Sequence, residues 1–216
     1  AQRAEELPSL EAFRFRGIWL SAYAPVGEGG LPDVLALLTG AADPCPDPAV
    51  PCALPPETET VLDQLVDQGR TWRAYVEDDS ATATPGDPFP ALPALADAPE
   101  VVPLAELAQP PKPAPDPANL TLLLPGLAKL DPAVADAWLT ETLAALDAQI
   151  VLVQLADGAL LIAPEAASGT EDDAPLDAFS LLRTIEDLFG LPTLGEAEKA
   201  EPLPWSQELH GDPTGS

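Results

Sequence analysis

"EGGLPDVLALLTG", residues Glu28 to Gly40, is the stretch on which the reading of this chain turns. Its two glycines allow a tight turn and a close approach to the backbone. Pro32 suits the first turn of a helix, where a missing N–H costs nothing. Val34, Leu35, Leu37 and Leu38 continue as a short buried helix that Gly40 can end. A glycine turn feeding a helix N-terminus is where α/β enzymes often hold a nucleophile or an anion. Yet the turn itself carries no Ser, Thr, Cys or His.

Working outward, "FRFRGIWLSAY" (Phe13 to Tyr23) reads as a first strand leading into the turn. "TETVLDQLVDQG" places Val61, Leu62, Leu65 and Val66 at helical spacing, with Gly69 as its stop, and "TWRAYVE" follows as a strand. A helix running directly into a strand is half of a βαβ crossover. Residues Ser80 to Ala118 are rich in Pro, Ala and Asp, broken by "VVPLAELA", which reads as a helical turn or an edge element. "NLTLLLP" is an apolar strand. "DPAVADAWLTETLAALDAQ" is a helix with Asp131 as N-cap, Pro132 at its first position and a buried face of Val134, Trp138, Leu139, Leu143 and Leu146. "IVLVQLA" is continuous enough for a strand covered on both faces, and "GALLIAP" is its hairpin partner or continuation across Asp157-Gly158. "LDAFSLLRTIEDLFGLP" carries the strongest helical stripe, through Phe179, Leu182, Ile185 and Phe189, closed by Gly190 and Pro192. Alternating helices and strands predict an α/β fold with a mainly parallel central sheet flanked by helices. One domain is expected over residues 1–205, followed by a polar tail over 206–216.

With 46% hydrophobic residues in 216, the chain can bury one sizeable core, while 28 prolines demand long loops between the elements. Nine basic residues against 36 acidic ones give a formal charge of -27, a field that repels nucleic acid and anionic lipid. No apolar run approaches the length of a membrane span. Cys45 and Cys52, in the Pro-rich "DPCPDPAVPCALPP", favour a disulfide and hence an extracytoplasmic location, with two free thiols as the alternative. A metal would need further soft ligands, and the sole histidine, His210, lies in the tail. The sequence has no methionine, so Ala1 reads as a processed or trimmed end.

The order of "LPDVLALLTG", a Cys-containing loop, "TVLDQLVDQGRTWRAYVED", "NLTLLLPGL", "DAWL" and "SLLRTIEDLFGLPTLG" resembles the bacterial phosphoesterase family. That family includes acid phosphatases and phospholipase C-type enzymes of the alkaline phosphatase superfamily. The resemblance spans Leu31 to Gly195 and implies an alkaline-phosphatase-like fold, truncated and with long Pro-rich loops.

The resemblance does not bring the chemistry with it. Family enzymes share a Ser/Thr-Leu-Pro-Asn turn whose hydroxyl attacks phosphorus; the matching residues here are Gly30, Leu31, Pro32 and Asp33. Glycine supplies no oxygen nucleophile. An ionised Asp33 would face a phosphate with a like charge, a repulsion of about 4 kcal/mol at about 4 Å and an effective dielectric of about 20. The implied metal ligands are replaced too. Nothing in Ala1 to Ala24 matches the family's Glu-Asn pair, and Leu155-Ala156 precede a lone Asp157 where an Asp-Glu pair belongs. Ala178 stands before Phe179 in place of a histidine, and "GLAKLD" (Gly126 to Asp131) replaces a His-Asp. No catalytic residue, metal or cofactor is expected.

Other features read as structural. The acidic clusters Glu77 to Asp79 and Glu171 to Asp173 lack the alternating spacing of a calcium loop and read as solvated charges. Thr39 belongs to the helix end, Arg183 and Glu186 are spaced to pair on a helix surface, and Trp19, Trp72, Trp138 and Trp205 read as core or partner-facing. Asn119-Leu120-Thr121 matches a glycosylation triplet at chance frequency. The expected function is a non-catalytic phosphoesterase-like domain serving as a structural or accessory subunit through contacts with other proteins. Alternatives are a divergent metal-dependent phosphate-ester hydrolase and a small-ligand or cation-binding module.

Overall fold

The computed structural model describes residues 7–27, 30–45, 52–76, 89–103, 118–124, 132–145, 151–155, 158–162 and 169–203. The expected cap Asp131, the clusters at Asp157, Gly126 to Asp131 and Glu77 to Asp79, Leu146, Trp205 and the tail lie outside the described residues. The class is α/β, with two sheets rather than one among the described residues. The chain divides into two compact units: Ala1–Ala24, Leu127–Asp177 and Pro202–Ser216 form the first, and Pro25–Gly126 and Ala178–Glu201 the second.

The first unit holds helix α1 (Pro8–Arg14) and strand β1 (Ile18–Leu20). It also holds helix α4 (Pro132–Ala145) and strands β5 (Val151–Leu155), β6 (Gly158–Ile162) and β7 (Thr170–Asp172). The sheet order is β5-β6-β1-β7. Strands β5 and β6 form an antiparallel hairpin, β1 pairs antiparallel with β6 (Trp19 opposite Leu160), and β1 and β7 run parallel. The strand expected over Phe13 to Tyr23 is therefore only three residues long. Pro8 favours the first turn of α1, and that helix takes Phe13 and Arg14. The Arg14 guanidinium lies 4.6 Å from the centre of the Trp19 ring, so Trp19 is half of a cation–π pair as well as a core residue. Helix α4 is turned relative to the expected face: Val134 is 55% exposed, while Ala135, Asp136, Leu139 and Thr142 are buried. The Asp136 carboxylate explains the choice, because it accepts a 2.9 Å hydrogen bond from Ser9 N at the start of α1.

The second unit holds helices α2 (Leu31–Thr39), α3 (Val61–Asp67) and α5 (Ala178–Phe189), with strands β2 (Trp72–Val76), β3 (Val101–Pro103) and β4 (Leu120–Leu124). Its sheet, ordered β3-β2-β4, is parallel throughout. "VVP" is thus an edge strand, and Pro103 suits an edge because it has no N–H to donate. Helix α3 starts with a capping box: Thr60 Oγ1 accepts from Asp63 N at 3.2 Å, and Asp63 Oδ2 accepts from Thr60 N at 2.9 Å. It ends at Gly69, where Arg70 N reaches back to Leu65 O at 2.8 Å and Gly69 N to Val66 O at 2.9 Å. The chain then passes straight into β2, whose Trp72 and Ala74 are buried and whose Trp72 ring stacks on Phe89 at 6.0 Å. Leu35 and Leu38 of α2, Leu62 and Leu65 of α3, and Leu182 and Ile185 of α5 close the core.

One backbone crossing locks this core. Gly40 ends α2 in the left-handed region (φ 70°), and the segment after α5 runs across it, with Glu196 N donating to Gly40 O at 2.9 Å. A Cβ on Gly40 would strike the Leu194 carbonyl, and one on Gly195 would strike that of Gly40. Both residues must therefore be glycine. Gly40→Ala is expected to cost about 2–4 kcal/mol, combining overpacking with left-handed strain. Gly69→Ala, which shares the positive φ but meets nothing within 4 Å, should cost only about 1–2 kcal/mol. Paired urea melts check this; equal losses at the two positions would count against the crossing.

Candidate functional site

The turn at Gly30 is where the sequence points to chemistry. Gly30 is the N-cap of α2 with φ 67°, exposed, and Val34 N donates to its carbonyl at 3.1 Å. Leu31 and Pro32 open the helix, half-buried. Asp33 occupies the third helical position and is 4% exposed. Its carboxylate turns back to accept a hydrogen bond from Val26 N at 2.7 Å. A carboxylate in the first turn also interacts favourably with the helix dipole. The carboxyl group at this helix start is the protein's own, and it ties the incoming chain to the helix.

The remaining candidates are each held by local structure. Thr39 Oγ1 donates to Leu35 O at 2.7 Å and accepts from Ala41 N at 3.2 Å, which occupies the hydroxyl at the helix end. Ala178 is a buried residue at the start of α5, with Phe179 half-buried beside it. In the second acidic cluster, Asp172 Oδ1 accepts from Ala174 N at 2.8 Å and its carbonyl accepts from Ser21 N at 2.9 Å, so it shapes the end of β7. Among the described residues no group of three His, Cys, Asp or Glu side chains is placed to hold a metal ion. No helix among them is long and apolar enough to cross a membrane. An open groove of about 550 Å³ lies between the starts of α1 and α4, lined in part by Ser9, Asp136, Thr140 and Glu141. Of the residues singled out from the sequence, Pro132, at the first position of α4, lines it; none of the candidate site residues does.

Cys45 and Cys52 are joined in a disulfide with Cα atoms 5.4 Å apart. Both half-cystines pack on the margin of the second unit's core and staple the connection between α2 and α3. The free-thiol alternative is set aside.

The expected Arg183–Glu186 surface pair does not form. Arg183 Nε instead pairs with Asp187 Oδ1 at 2.9 Å, one turn away. Glu186 is 0% exposed, and its Oε1 accepts from Leu194 N at 2.7 Å. Burial pushes its pKa up from the ordinary 4.5 to about 7, against the lowering effects of the Leu194 bond and the Arg183 charge. Sequence reasoning missed this residue. The available signal was its place one turn beyond Leu182, on the apolar side of the helix.

No family model matches the chain, and no curated protein matches it.

Two measurements check these assignments. Asp33→Ala should destabilise the fold by about 1–2 kcal/mol, because the part-buried Val26 N–H loses its acceptor, and Asp33→Asn, which keeps an acceptor oxygen, should cost less. A neutral Asp33→Ala would remove the structural role given to that carboxylate. Intact-mass analysis after alkylation without reductant should find no modified thiol, and reduction should lower stability by about 2–3 kcal/mol. Two alkylated cysteines in freshly isolated protein would contradict the bridge.

Proposed function

We propose that this chain is a non-catalytic, phosphoesterase-like domain that serves as a structural or accessory subunit by binding another protein. The observation that carries the reading is the Gly30-Leu31-Pro32-Asp33 turn. The residue where a nucleophilic hydroxyl would stand has no side chain, and the neighbouring carboxylate is committed to Val26. A phosphate brought to this helix N-terminus would meet Asp33 where an uncharged donor is needed. The proposed fold is alkaline-phosphatase-like and shortened. Its support is the order of motifs from Leu31 to Gly195 and the parallel β2–β4 sheet fed by α3. The Cys45–Cys52 bridge supports an extracytoplasmic setting.

Partner binding follows from what the core retains. A folded unit that no longer positions a nucleophile can still display a surface, and a net charge of -27 favours a partner with a basic face. A Pro-rich composition such as that of "QPPKPAPDP" lowers the conformational entropy a chain loses on binding.

The test is a hydrolysis assay with a generic phosphomonoester and a phosphodiester, in Mg²⁺, Zn²⁺ or Ca²⁺. Turnover should not exceed a metal-only blank, and Gly30→Ser should not restore it, because a nucleophile of this kind acts as part of a metal-bound unit. Chelator-sensitive turnover would instead establish the divergent-hydrolase alternative. Sedimentation of material isolated gently from its native source should find the chain in a larger assembly. A lone monomer would remove the accessory-subunit reading.

A further inference from the structure

We propose that Glu186 is a proton-operated latch on the segment that follows helix α5, holding residues 191–199 against the helix when it is protonated and loosening them when it is not. Glu186 grips that segment at two points. Its backbone carbonyl accepts from Leu191 N at 2.8 Å where the helix closes, and its side-chain Oε1 accepts from Leu194 N at 2.7 Å. Beyond Leu194 the chain crosses Gly40 and forms a short 3-10 turn, Gly195–Lys199, with Ala197 fully buried. The strap therefore leaves α5 through one residue and docks on the end of α2.

The side chain is 0% exposed, and its Oε2 is buried without a hydrogen-bond partner among the described residues. A carboxylate in that position carries an uncompensated charge in a poorly solvated site, whereas the neutral acid does not. The charges acting on it are Arg183 and Asp187 of its own helix, of opposite sign and paired with each other. The elements packed on α5 are α2, α3 and the 3-10 turn. Their ionisable side chains are Asp33, which accepts from Val26; Asp63, engaged by Thr60; Asp67; Glu198; and Glu196, paired with Lys199 at 2.9 Å. The closed strap thus offers Glu186 burial and one hydrogen bond, and the open strap offers water.

The sign follows from that difference. Closed, Glu186 holds its proton up to about pH 7; released, it ionises near the ordinary 4.5. Closure is fully favoured below the lower value, weakens as pH rises between the two, and the loss is complete above about pH 7. The gap corresponds to about a 300-fold change in the opening equilibrium.

The experiment is amide hydrogen exchange followed by NMR on the full chain from pH 5 to 8.5, corrected for the intrinsic pH dependence of exchange. Over this range protection at Leu194 and Glu196 should fall with pH by up to about 70-fold relative to Ala74 in β2, and the Glu186 carboxyl carbon should titrate near neutrality. In E186Q, which keeps an acceptor and cannot ionise, the protection ratio should be independent of pH. A flat ratio in the wild-type protein, or a pH dependence that survives in E186Q, overturns the latch. If E186Q does not fold, the wild-type ratio and carboxyl titration decide alone.

Discussion

Helix α2 is fixed at both ends, and the packing of the second unit depends on the C-terminal contact, which leaves no room for a side chain. There the backbones of Gly40 and Leu194–Gly195 meet with no side chain between them, joined by the Glu196–Gly40 hydrogen bond. That contact sets how closely α5 and its trailing segment approach α2, and hence how Leu35, Leu38, Leu182 and Ile185 interlock. Close-packed interiors transmit such constraints because they hold few voids to absorb a shift. At the other end, Asp33 fixes the turn by accepting from Val26. The glycine turn that invites a catalytic reading is thus half of a clamp on one helix.

Much of the second unit was legible in the sequence because its signals are local. Thr60 and Asp63 mark a helix start, Gly69 marks its end, and the aromatic and β-branched residues of "TWRAYV" mark the strand that follows. The disulfide was legible from spacing in a Pro-stiffened loop. The division into two sheets was not. Strands β1 and β7 are three residues each, too short to show a period, and β1 finds both its partners more than a hundred residues away. The apolar run of β5 reads equally as a doubly covered parallel strand or as one arm of a hairpin, and only its pairing with β6 decides. The face of α4 was misread because its apolar residues lie nearly all round, and the deciding residue, Asp136, is polar.

The candidate site repeats this lesson at the level of single groups. That Gly30 carries no nucleophile is visible in the sequence. That Asp33 is buried and serves Val26 is not, because its partner is seven residues upstream through a turn. Glu186 reads as a surface residue by its spacing from Arg183, yet its carboxylate turns inward to Leu194. Each of these two acids holds a backbone N–H across a loop, so the acidity of the chain is partly architectural.

On the proposed function, the Gly30 turn serves to hold helix α2 in place and binds no phosphate. Amide chemical-shift mapping with orthovanadate, an analogue of the phosphoryl-transfer transition state, in the presence of Mg²⁺ or Zn²⁺ tests it most directly. The Gly30, Leu31, Asp33 and Val34 amides should stay unmoved at millimolar vanadate. Saturable shifts at these amides, lost on chelation of the metal, would contradict it.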